Sequence, residues 1–433
     1  MTTGTELWSK AKTLIPGGSM LLSKRAEQYL PAGWPAYFSR TSGCTVWDLD
    51  GTAFLDVGLM GIGTNILGYS DPTVDEAVMG VVQKGNLSTL NAPEEVYLAE
   101  ALIELHPWAG MARFTRSGGE ACAVAVRIAR AASGKDKVAF CGYHGWHDWY
   151  LSANLGADDS LDGHLLPGLE PNGVPRALRG TAIPFRFNDL AALTEIMADD
   201  EVGVIYMEVQ RSDPPAPGFL EGVRALATAR NAVLIFDECT SGFRRTLGGM
   251  HLHYGVDPDM ATFGKTLGNG YAIAAVIGRT EVMQAAQTTF ISSTFWTERI
   301  GSVAALATLG VMRELDAPAR VHAIGTAVQQ RWLETAEAAG LGITVGGLPA
   351  LANYSVNGLD PLLVKTFVIS RLLDLGFLGG MNMYASIAHT SDVLDQYFDA
   401  LAPIMGELAD LDDAGLVGLL PDGAAQGGFA RLT

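Results

Sequence analysis

The sequence has little positive charge and no long apolar run. Its 433 residues contain 29 Lys and Arg against 47 Asp and Glu, for a formal net charge of -18, and the basic residues form no cluster. Nucleic acids and anionic membrane surfaces are bound by clustered Lys and Arg, so neither partner is expected. A membrane-spanning helix needs about 18 or more consecutive apolar residues, and no such run occurs. We therefore expect neither a nucleic-acid-binding nor a membrane protein.

Cysteine is also scarce. Cys44, Cys122, Cys141 and Cys239 lack the paired short spacings of a zinc site or a disulfide framework. Their apolar or motif-rich surroundings are typical of buried thiols in a reducing compartment. The first ten residues lack the basic, apolar and small-residue order of a signal peptide. These features together predict a cytoplasmic location.

The length of the chain and its 48% hydrophobic content predict two packed domains. Between residues 61 and 300, short apolar runs alternate with helical periods, which predicts a large α/β domain with a mostly parallel sheet. The predicted strands of this domain are 138–141, 204–209, 233–236 and 260–263, and its predicted helices include 120–132 and 220–231.

The two ends of the chain have different patterns. Residues 301–433 carry long helical patterns and few strands, which predicts a smaller α+β domain, with Ser391 and Asp392 capping a last helix that runs to about residue 408. Residues 1–60 form an N-terminal segment that is expected to pack with this small domain. Within it, residues 45–52 predict a hairpin around an Asp-Gly turn.

Asp237 and Lys265 each follow a predicted strand of the central domain. Because ligands gather at the carboxyl ends of the strands in open α/β sheets, both residues are candidates for chemistry. The alternatives are a helix-capping or ion-paired carboxylate for Asp237 and a solvated lysine for Lys265. The Gly-Lys-Thr triplet at Lys265 is not a P-loop, since the upstream glycine of the phosphate cradle is missing.

Two further motifs precede these residues. Ser117, Gly118 and Gly119 stand directly before a predicted helix, where backbone N–H groups can bind a phosphate; a plain turn and helix cap is the alternative. The stretch 142–148 follows a predicted strand and contains an aromatic ring that is able to stack on a flat cofactor. An aromatic core corner is the other reading. His144, His147 and Asp148 in the same stretch also resemble metal ligands, although no further ligand is evident.

In this order, the motifs resemble the class III aminotransferases, most closely the glutamate-1-semialdehyde 2,1-aminomutase branch. The resemblance covers roughly residues 8–410. Its most specific part is an Asp-Glu-x-x-Ser-Gly-Phe-Arg segment that starts at Asp237 and is followed by Lys265. The resemblance implies the fold type I architecture of pyridoxal phosphate (PLP) enzymes, with a large mostly parallel sheet domain and a smaller α+β domain. It also implies a homodimer.

The resemblance assigns a role to each motif. Lys265 matches the lysine that forms a Schiff base with PLP, and Asp237 matches the partner of the ring nitrogen. The remaining cofactor contacts are the phosphate loop, the stacked ring with its neighbour, a glutamate on the phenolic side, and a threonine that reaches the phosphate of the neighbouring subunit's cofactor. In this sequence they match Ser117, Gly118, Gly119, Tyr143, His144, Glu208 and Thr294.

Departures from the aminomutase pattern concern the substrate. The aminomutase's carboxylate-binding arginine has Lys24 or Arg25 as its nearest counterpart, and Trp296, Glu298 and Arg299 replace a smaller motif; Arg25 and these three residues are therefore candidate substrate contacts. The gating loop appears shortened around residues 285–292. These differences favour an aminotransferase, which moves an amino group from an amino donor to a keto or aldehyde acceptor through a pyridoxamine phosphate intermediate. An intramolecular aminomutase is the alternative, followed by a non-catalytic PLP-fold binding protein and a metal hydrolase.

Overall fold

The computed structural model describes residues 2–157, 159–164 and 167–428. Its strands are β1 (Phe38–Ser42), β2 (Thr45–Asp48), β3 (Ala53–Asp56), β4 (Met111–Thr115), β5 (Lys137–Cys141), β6 (Ala182–Pro184), β7 (Val202–Glu208), β8 (Val233–Asp237), β9 (Met260–Phe263), β10 (Ala274–Gly278), β11 (Ile343–Gly346), β12 (Leu351–Val356), β13 (Phe377–Leu378) and β14 (Asn382–Tyr384).

The α-helices vary in length from a single turn to 23 residues. They are α1 (Thr3–Leu14), α2 (Met60–Gly63), α3 (Pro72–Val82), α4 (Glu94–Leu105), α5 (Gly118–Ser133), α6 (Asp148–Leu151), α7 (Leu190–Ile196), α8 (Phe219–Ala229), α9 (His251–Tyr254), α10 (Thr280–Met283), α11 (Arg299–Leu315), α12 (Ala317–Ala339), α13 (Pro361–Asp374), α14 (Ser391–Ala409) and α15 (Asp413–Leu419). Within the described part of the chain, no helix is both long and apolar enough to cross a bilayer.

Contacts within the chain divide it into two units. The central unit is Pro72–Ala319, and the terminal unit combines the chain up to Asp71 with the chain from Arg320 onward. Both divisions lie later in the sequence than the predicted ones, after residues 60 and 300. The second difference arises because α11, whose pattern was assigned to the small domain, packs against α3 and α4 of the central unit.

The central unit is built on a seven-stranded sheet in the order β4-β10-β9-β8-β7-β5-β6. Strand β10 runs antiparallel to both of its neighbours, and the other pairs are parallel. The predicted mostly parallel sheet is confirmed. Strands β7, β8 and β9 are buried along their whole length, which explains why they are continuous apolar runs. Glu208 and Asp237 are the last residues of β7 and β8, and Lys265 lies just after the carboxyl end of β9.

The terminal unit contains a four-stranded sheet, β1-β2-β3-β13, and a three-stranded sheet, β11-β12-β14. The predicted hairpin is present: β2 and β3 pair antiparallel around the turn, where Gly51 has φ +86° and Asp48 accepts backbone hydrogen bonds from Asp50 and Thr52. The terminal unit has its own hydrophobic core around Trp332, which is fully buried. Helix α14 begins at Ser391 as expected, but its capping side chain is Thr390.

Candidate active site

Asp237 is buried at the carboxyl end of β8 with only 3% of its surface exposed. Its Oδ2 atom lies 2.7 Å from Nδ1 of His144, and its Oδ1 accepts hydrogen bonds from the backbone N–H of Cys239 and the hydroxyl of Thr262 at 3.0 and 3.1 Å. Burial alone would raise the pKa of Asp237, but the contact with His144 and the backbone donor outweigh it and lower the pKa to about 2. Asp237 is therefore a fixed negative charge at neutral pH.

Lys265 follows β9 through Gly264 and opens a short 3-10 turn. Its φ of +41° lies in the left-handed region, an uncommon conformation for a residue with a side chain and one that is enriched at functional sites. Its Nζ donates a hydrogen bond to the hydroxyl of Thr240 at 2.8 Å. Burial, and then the nearby charge of Arg211, lower the pKa of Lys265. The solvated-lysine alternative does not fit these surroundings.

Glu208 occupies the end of β7, beside Asp237 in the sheet register. One carboxylate oxygen lies 2.7 Å from a guanidinium nitrogen of Arg211, and the other accepts a hydrogen bond from the backbone N–H of Tyr143 at 3.2 Å. A Cβ on Gly142, which has φ +110°, would lie 2.5 Å from Glu208 Oε2, so only glycine fits there. The Glu208 carboxylate is therefore held by the loop after β5 and by Arg211, which was not among the residues predicted from the sequence.

Ser117 caps α5 and closes a capping box with Glu120. The Ser117 side chain accepts from the N–H of Glu120, while Glu120 Oε2 accepts from the N–H groups of Arg116 and Ser117 at 2.9 Å. Gly118 and Gly119 form the first turn, where helical N–H groups have no carbonyl partner within the helix. The predicted cap is present, and the two glycines stand at the positive end of a 16-residue helix.

The first turn of α5 has the features that a phosphate group requires. A Cβ on Gly118 would lie 3.3 Å from Sγ of Cys239, and one on Gly119 would lie 3.2 Å from Nδ1 of His147, so the two glycines keep this cradle open. The buried Nδ1 of His147 has no hydrogen-bond partner among the described residues. An anion bound by the helix N-terminus would give this atom a partner. The residues present therefore fit the phosphate of PLP.

The aromatic stretch after β5 contacts Asp237 at the carboxyl edge of the sheet. His144 stacks on Tyr206, with ring centroids 4.3 Å apart, and directs Nδ1 to Asp237. Tyr143 is partly buried and meets Tyr150 edge to face. His147 stacks on Trp146. Among the described residues, the side chains close enough together to share a metal ion are Cys122, Asp237 and Cys239, and this group includes none of His144, His147 and Asp148.

The predicted substrate contacts near α11 are engaged in internal contacts. Glu298 caps α11, accepting from the N–H groups of Ile300 and Gly301, and its Oε1 lies 2.8 Å from Nε of Arg116. Arg299 makes two contacts with the carboxylate of Glu94, at 3.1 and 2.5 Å. The charges of Glu298 and Arg299 are thus balanced by residues that are distant in sequence. We therefore do not assign a substrate contact to either side chain.

The three other predicted residues have different surroundings. The indole N–H of Trp296 donates to Glu120 at 3.3 Å, so this side chain lies against the start of α5. Thr294 is exposed and begins a short 3-10 turn. Arg25 belongs to the terminal unit, where its guanidinium covers Gly17. Within the central unit, the structure brings Asp237 and Lys265 together with the other residues that the resemblance assigns to the cofactor, except Thr294.

Comparisons with known proteins agree with this geometry. A family model described as Aminotransferase class-III matches residues 31–347. The 3-aminobutyryl-CoA aminotransferase of Cloacimonas acidaminovorans is 37% identical over 316 residues, which cover 71% of this chain and 72% of that protein. The glutamate-1-semialdehyde 2,1-aminomutase of Desulfovibrio desulfuricans is 35% identical, covering 73% and 75%. An omega-transaminase structure from Sphaerobacter thermophilus superimposes with a TM-score of 0.82 at 25% identity, covering 93% and 97%.

Proposed function

Because the chain belongs to the class III aminotransferase family and is a PLP-dependent aminotransferase, we propose that Lys265 and Asp237 are its catalytic residues. The observation that supports this assignment is the arrival of both side chains at one sheet edge, from the ends of the neighbouring strands β8 and β9. One is a buried amine with a lowered pKa, and the other is a carboxylate with a lowered pKa. Such paired perturbations are typical of catalytic groups.

Each of the two residues has a distinct task. When bound, PLP supplies an electron-withdrawing ring that allows amino groups to be exchanged between substrates. The Asp237 carboxylate holds a proton on the ring nitrogen by charge attraction, because it is ionised and shielded from water. The Lys265 amine would bind the cofactor, and when free it would accept the proton from the substrate Cα as a general base and deliver it to the C4′ carbon of the cofactor as a general acid.

The remaining cofactor contacts are proposed from the family resemblance. The N–H groups of Gly118 and Gly119, the Ser117 side chain and the α5 N-terminus would bind the phosphate. Tyr143 would stack on the ring, and Glu208 would lie on its phenolic side. His144 is a positioning residue, since it acts by holding Asp237.

Replacement of Lys265 by Ala tests the central assignment. The variant should lose the visible absorbance of bound cofactor and all detectable transfer in single-turnover mixing with amino donors, because no other amine at this edge takes its place. Lys137→Ala, which removes an exposed lysine paired with Asp199, is the matched control and should behave as wild type. Unchanged transfer by the Lys265→Ala protein would refute the proposal.

Aminotransferase and aminomutase chemistry differ in the need for a second substrate. The shortened segment before Thr294 supports release of the half-reaction product: it is held by Arg113, which donates to the Ile291 carbonyl at 2.7 Å, and by Arg127, which donates to Phe290. We expect no sustained turnover of glutamate-1-semialdehyde in the absence of a keto or aldehyde acceptor. Sustained turnover under that condition would establish the aminomutase instead.

The amino donor is best found by a screen. A β-amino acyl thioester is its first member, because a relative is named for 3-aminobutyryl-CoA, followed by simple α- and ω-amino acids. Conversion of the cofactor spectrum in one turnover identifies the donor, and recovery of the spectrum with added carbonyl compounds identifies the acceptor.

A homodimer is part of the proposal. Large apolar side chains are exposed at Leu87, Leu90 and Phe295 of the central unit. They flank one region, because the backbone of Arg299 bonds to Asn86 just past the Phe295 turn. Exposed apolar surface of this kind marks protein–protein interfaces. A second copy of the chain that covers it would bring Thr294 to the phosphate of the neighbouring subunit's cofactor.

Mixed dimers test the role of Thr294. A homodimer of the Lys265→Ala variant should be inactive, and a homodimer of the Thr294→Ala variant should have weakened activity. A mixed dimer should regain one intact site, which takes Lys265 from one subunit and Thr294 from the other. If Thr294 acts within its own chain, mixing the two variants restores nothing. Sedimentation velocity on the same samples measures the oligomeric state.

A further inference from the structure

Lys265 and Arg211 share a single hydrogen-bond acceptor. Nζ of Lys265 lies 2.8 Å from Oγ1 of Thr240, and a guanidinium nitrogen of Arg211 lies 3.1 Å from the same atom. The two cationic groups are therefore within about 6 Å of each other, a separation at which like charges destabilise one another. The contact is built from three places in the chain: the loop after β7, the loop after β8 and the 3-10 turn after β9.

The charges that face Lys265 come from neighbouring strand ends. Arg211 is positive, Glu208 and Asp237 are negative, and Cys239 is a neutral thiol at ordinary pH because its pKa is raised. Arg211 is held close by its 2.7 Å ion pair with Glu208. A guanidinium keeps its proton at all pH values at which proteins are folded, so its charge is constant.

We propose that Arg211 is a positioning residue of the transamination reaction, which keeps the Lys265 amine uncharged and therefore able to accept a proton. The inference rests on the proposed role of Lys265 as general base. An ammonium group has no lone pair, so an amine that remains protonated cannot act as a base. The fixed charge of Arg211 favours the neutral amine, while Glu208 anchors the guanidinium and partly offsets its charge.

This arrangement predicts effects of opposite sign for the two members of the ion pair. Removal of the Arg211 charge should make the nitrogen at Lys265 retain its proton to higher pH. Removal of the Glu208 charge should make it lose its proton at lower pH, because the guanidinium is then unopposed. General loosening of the site would shift both variants in the same direction, so the sign separates a charge effect from a structural one.

The main experiment titrates the visible absorbance of the bound cofactor with pH in the holoenzyme. Relative to wild type, Arg211→Gln should raise the midpoint by about one pH unit, and Glu208→Gln should lower it. Arg211→Lys, which retains a positive charge, should remain closer to wild type. Arg230→Gln removes an exposed arginine paired with Asp200 and is the matched control, with an unchanged midpoint.

A second measurement does not depend on the loaded enzyme. In cofactor-free protein, the rate of reductive methylation at the Lys265 peptide, followed by mass spectrometry across pH, reports protonation of the amine itself. The Arg211→Gln profile should move to higher pH. If Arg211→Gln fails to fold, Glu208→Gln and Arg211→Lys still test the sign of the effect.

The outcomes separate the two proposals. Wild-type protein that shows no visible cofactor band when supplied with PLP would contradict the proposed function. A normal wild-type titration combined with an unchanged Arg211→Gln midpoint would overturn the role of Arg211 alone. Shifts of Arg211→Gln and Glu208→Gln in one common direction would overturn it as well.

Discussion

Asp237 and Asp56 are buried aspartates that each end a strand, one in each unit, but their surroundings shift their pKa values in opposite directions. Asp237 ends β8 and faces the His144 imidazole, and its pKa is lowered to about 2. Asp56 ends β3 and accepts a hydrogen bond from the hydroxyl of Tyr69 at 2.6 Å. Burial raises the pKa of Asp56, and its hydrogen bonds offset this only in part. Burial by itself therefore does not determine whether a carboxylate is charged.

The two environments suit two purposes. A charged carboxylate at Asp237 can hold a cationic ring nitrogen. Asp56 instead accepts the backbone N–H groups of Gly58 and Met60, just ahead of Gly61 and Ile62, which have φ values of +68° and +63°. A β-branched residue is strained in that region, so local hydrogen bonds are needed to hold the turn. The comparison is consistent with the proposed catalytic role of Asp237 and with a structural role of Asp56.

The largest expected effect is on turnover. Asp237→Asn should lower the single-turnover rate by about a thousandfold, because the neutral amide cannot hold the ring nitrogen in its charged form. Asp56→Asn should leave the rate per bound cofactor near that of wild type. Rapid-mixing absorbance with an accepted amino donor measures both rates. An equal loss in the two variants would remove the distinction between them.

The pH dependence of stability should have opposite signs at the two sites. The folded pKa of Asp237 lies below its unfolded value, so its contribution of about 2 kcal/mol is complete above pH 4 and is lost as the pH falls towards 2. The folded pKa of Asp56 is raised, so its contribution is complete below the unfolded pKa and is lost as the pH rises through the folded value. Denaturant unfolding of wild type and of each Asp→Asn variant measures the differences. Slopes of the same sign would contradict the comparison.

A smaller effect should come from His144. His144→Leu removes the donor nearest to Asp237 and should weaken cofactor retention by about tenfold, the equivalent of one charge-assisted hydrogen bond. His144→Asn places an amide nitrogen near the Nδ1 position and should retain most of the binding. Dialysis against PLP-free buffer, followed by absorbance, measures retention. Equal losses in the two variants would indicate that the imidazole acts only by packing on Tyr206.

The smallest expected effect is at Tyr69. Tyr69→Phe removes the hydroxyl that donates to Asp56 and should lower the free energy of unfolding by about 1 kcal/mol. It should not change the cofactor titration. Urea denaturation measures the free energy of unfolding, and visible absorbance measures the cofactor titration. A shifted cofactor titration would mean that Asp56 also belongs to the chemistry.

The sheet and its reactive edge could be predicted because their signals are local in the sequence. Buried parallel strands are continuous apolar runs, and the residues that follow them meet at one edge, which identified Asp237 and Lys265. The N-cap at Ser117 is equally local. The internal ion pairs of Glu298 and Arg299 could not be predicted, because nothing near them in sequence indicates Arg116 or Glu94 as partners.

Other site residues were missed for the same reason. Arg211 was not selected, because nothing in the sequence indicates its hydrogen bond to Thr240. Thr240 lies within a recognised motif, but its role depends on the positions of Lys265 and Arg211. His147 was considered only as a metal ligand, and its position beside Gly119 emerged from the fold.

The sequence by itself determined the family, the α/β class and the two residues that we propose as catalytic, since apolar runs, glycines and motif spacing are recorded along the chain. The tertiary structure decided the protonation states and the ion pairs. A pKa depends on the atoms within a few ångströms of a group, and for Asp237 and Asp56 those atoms come from segments that only folding brings together.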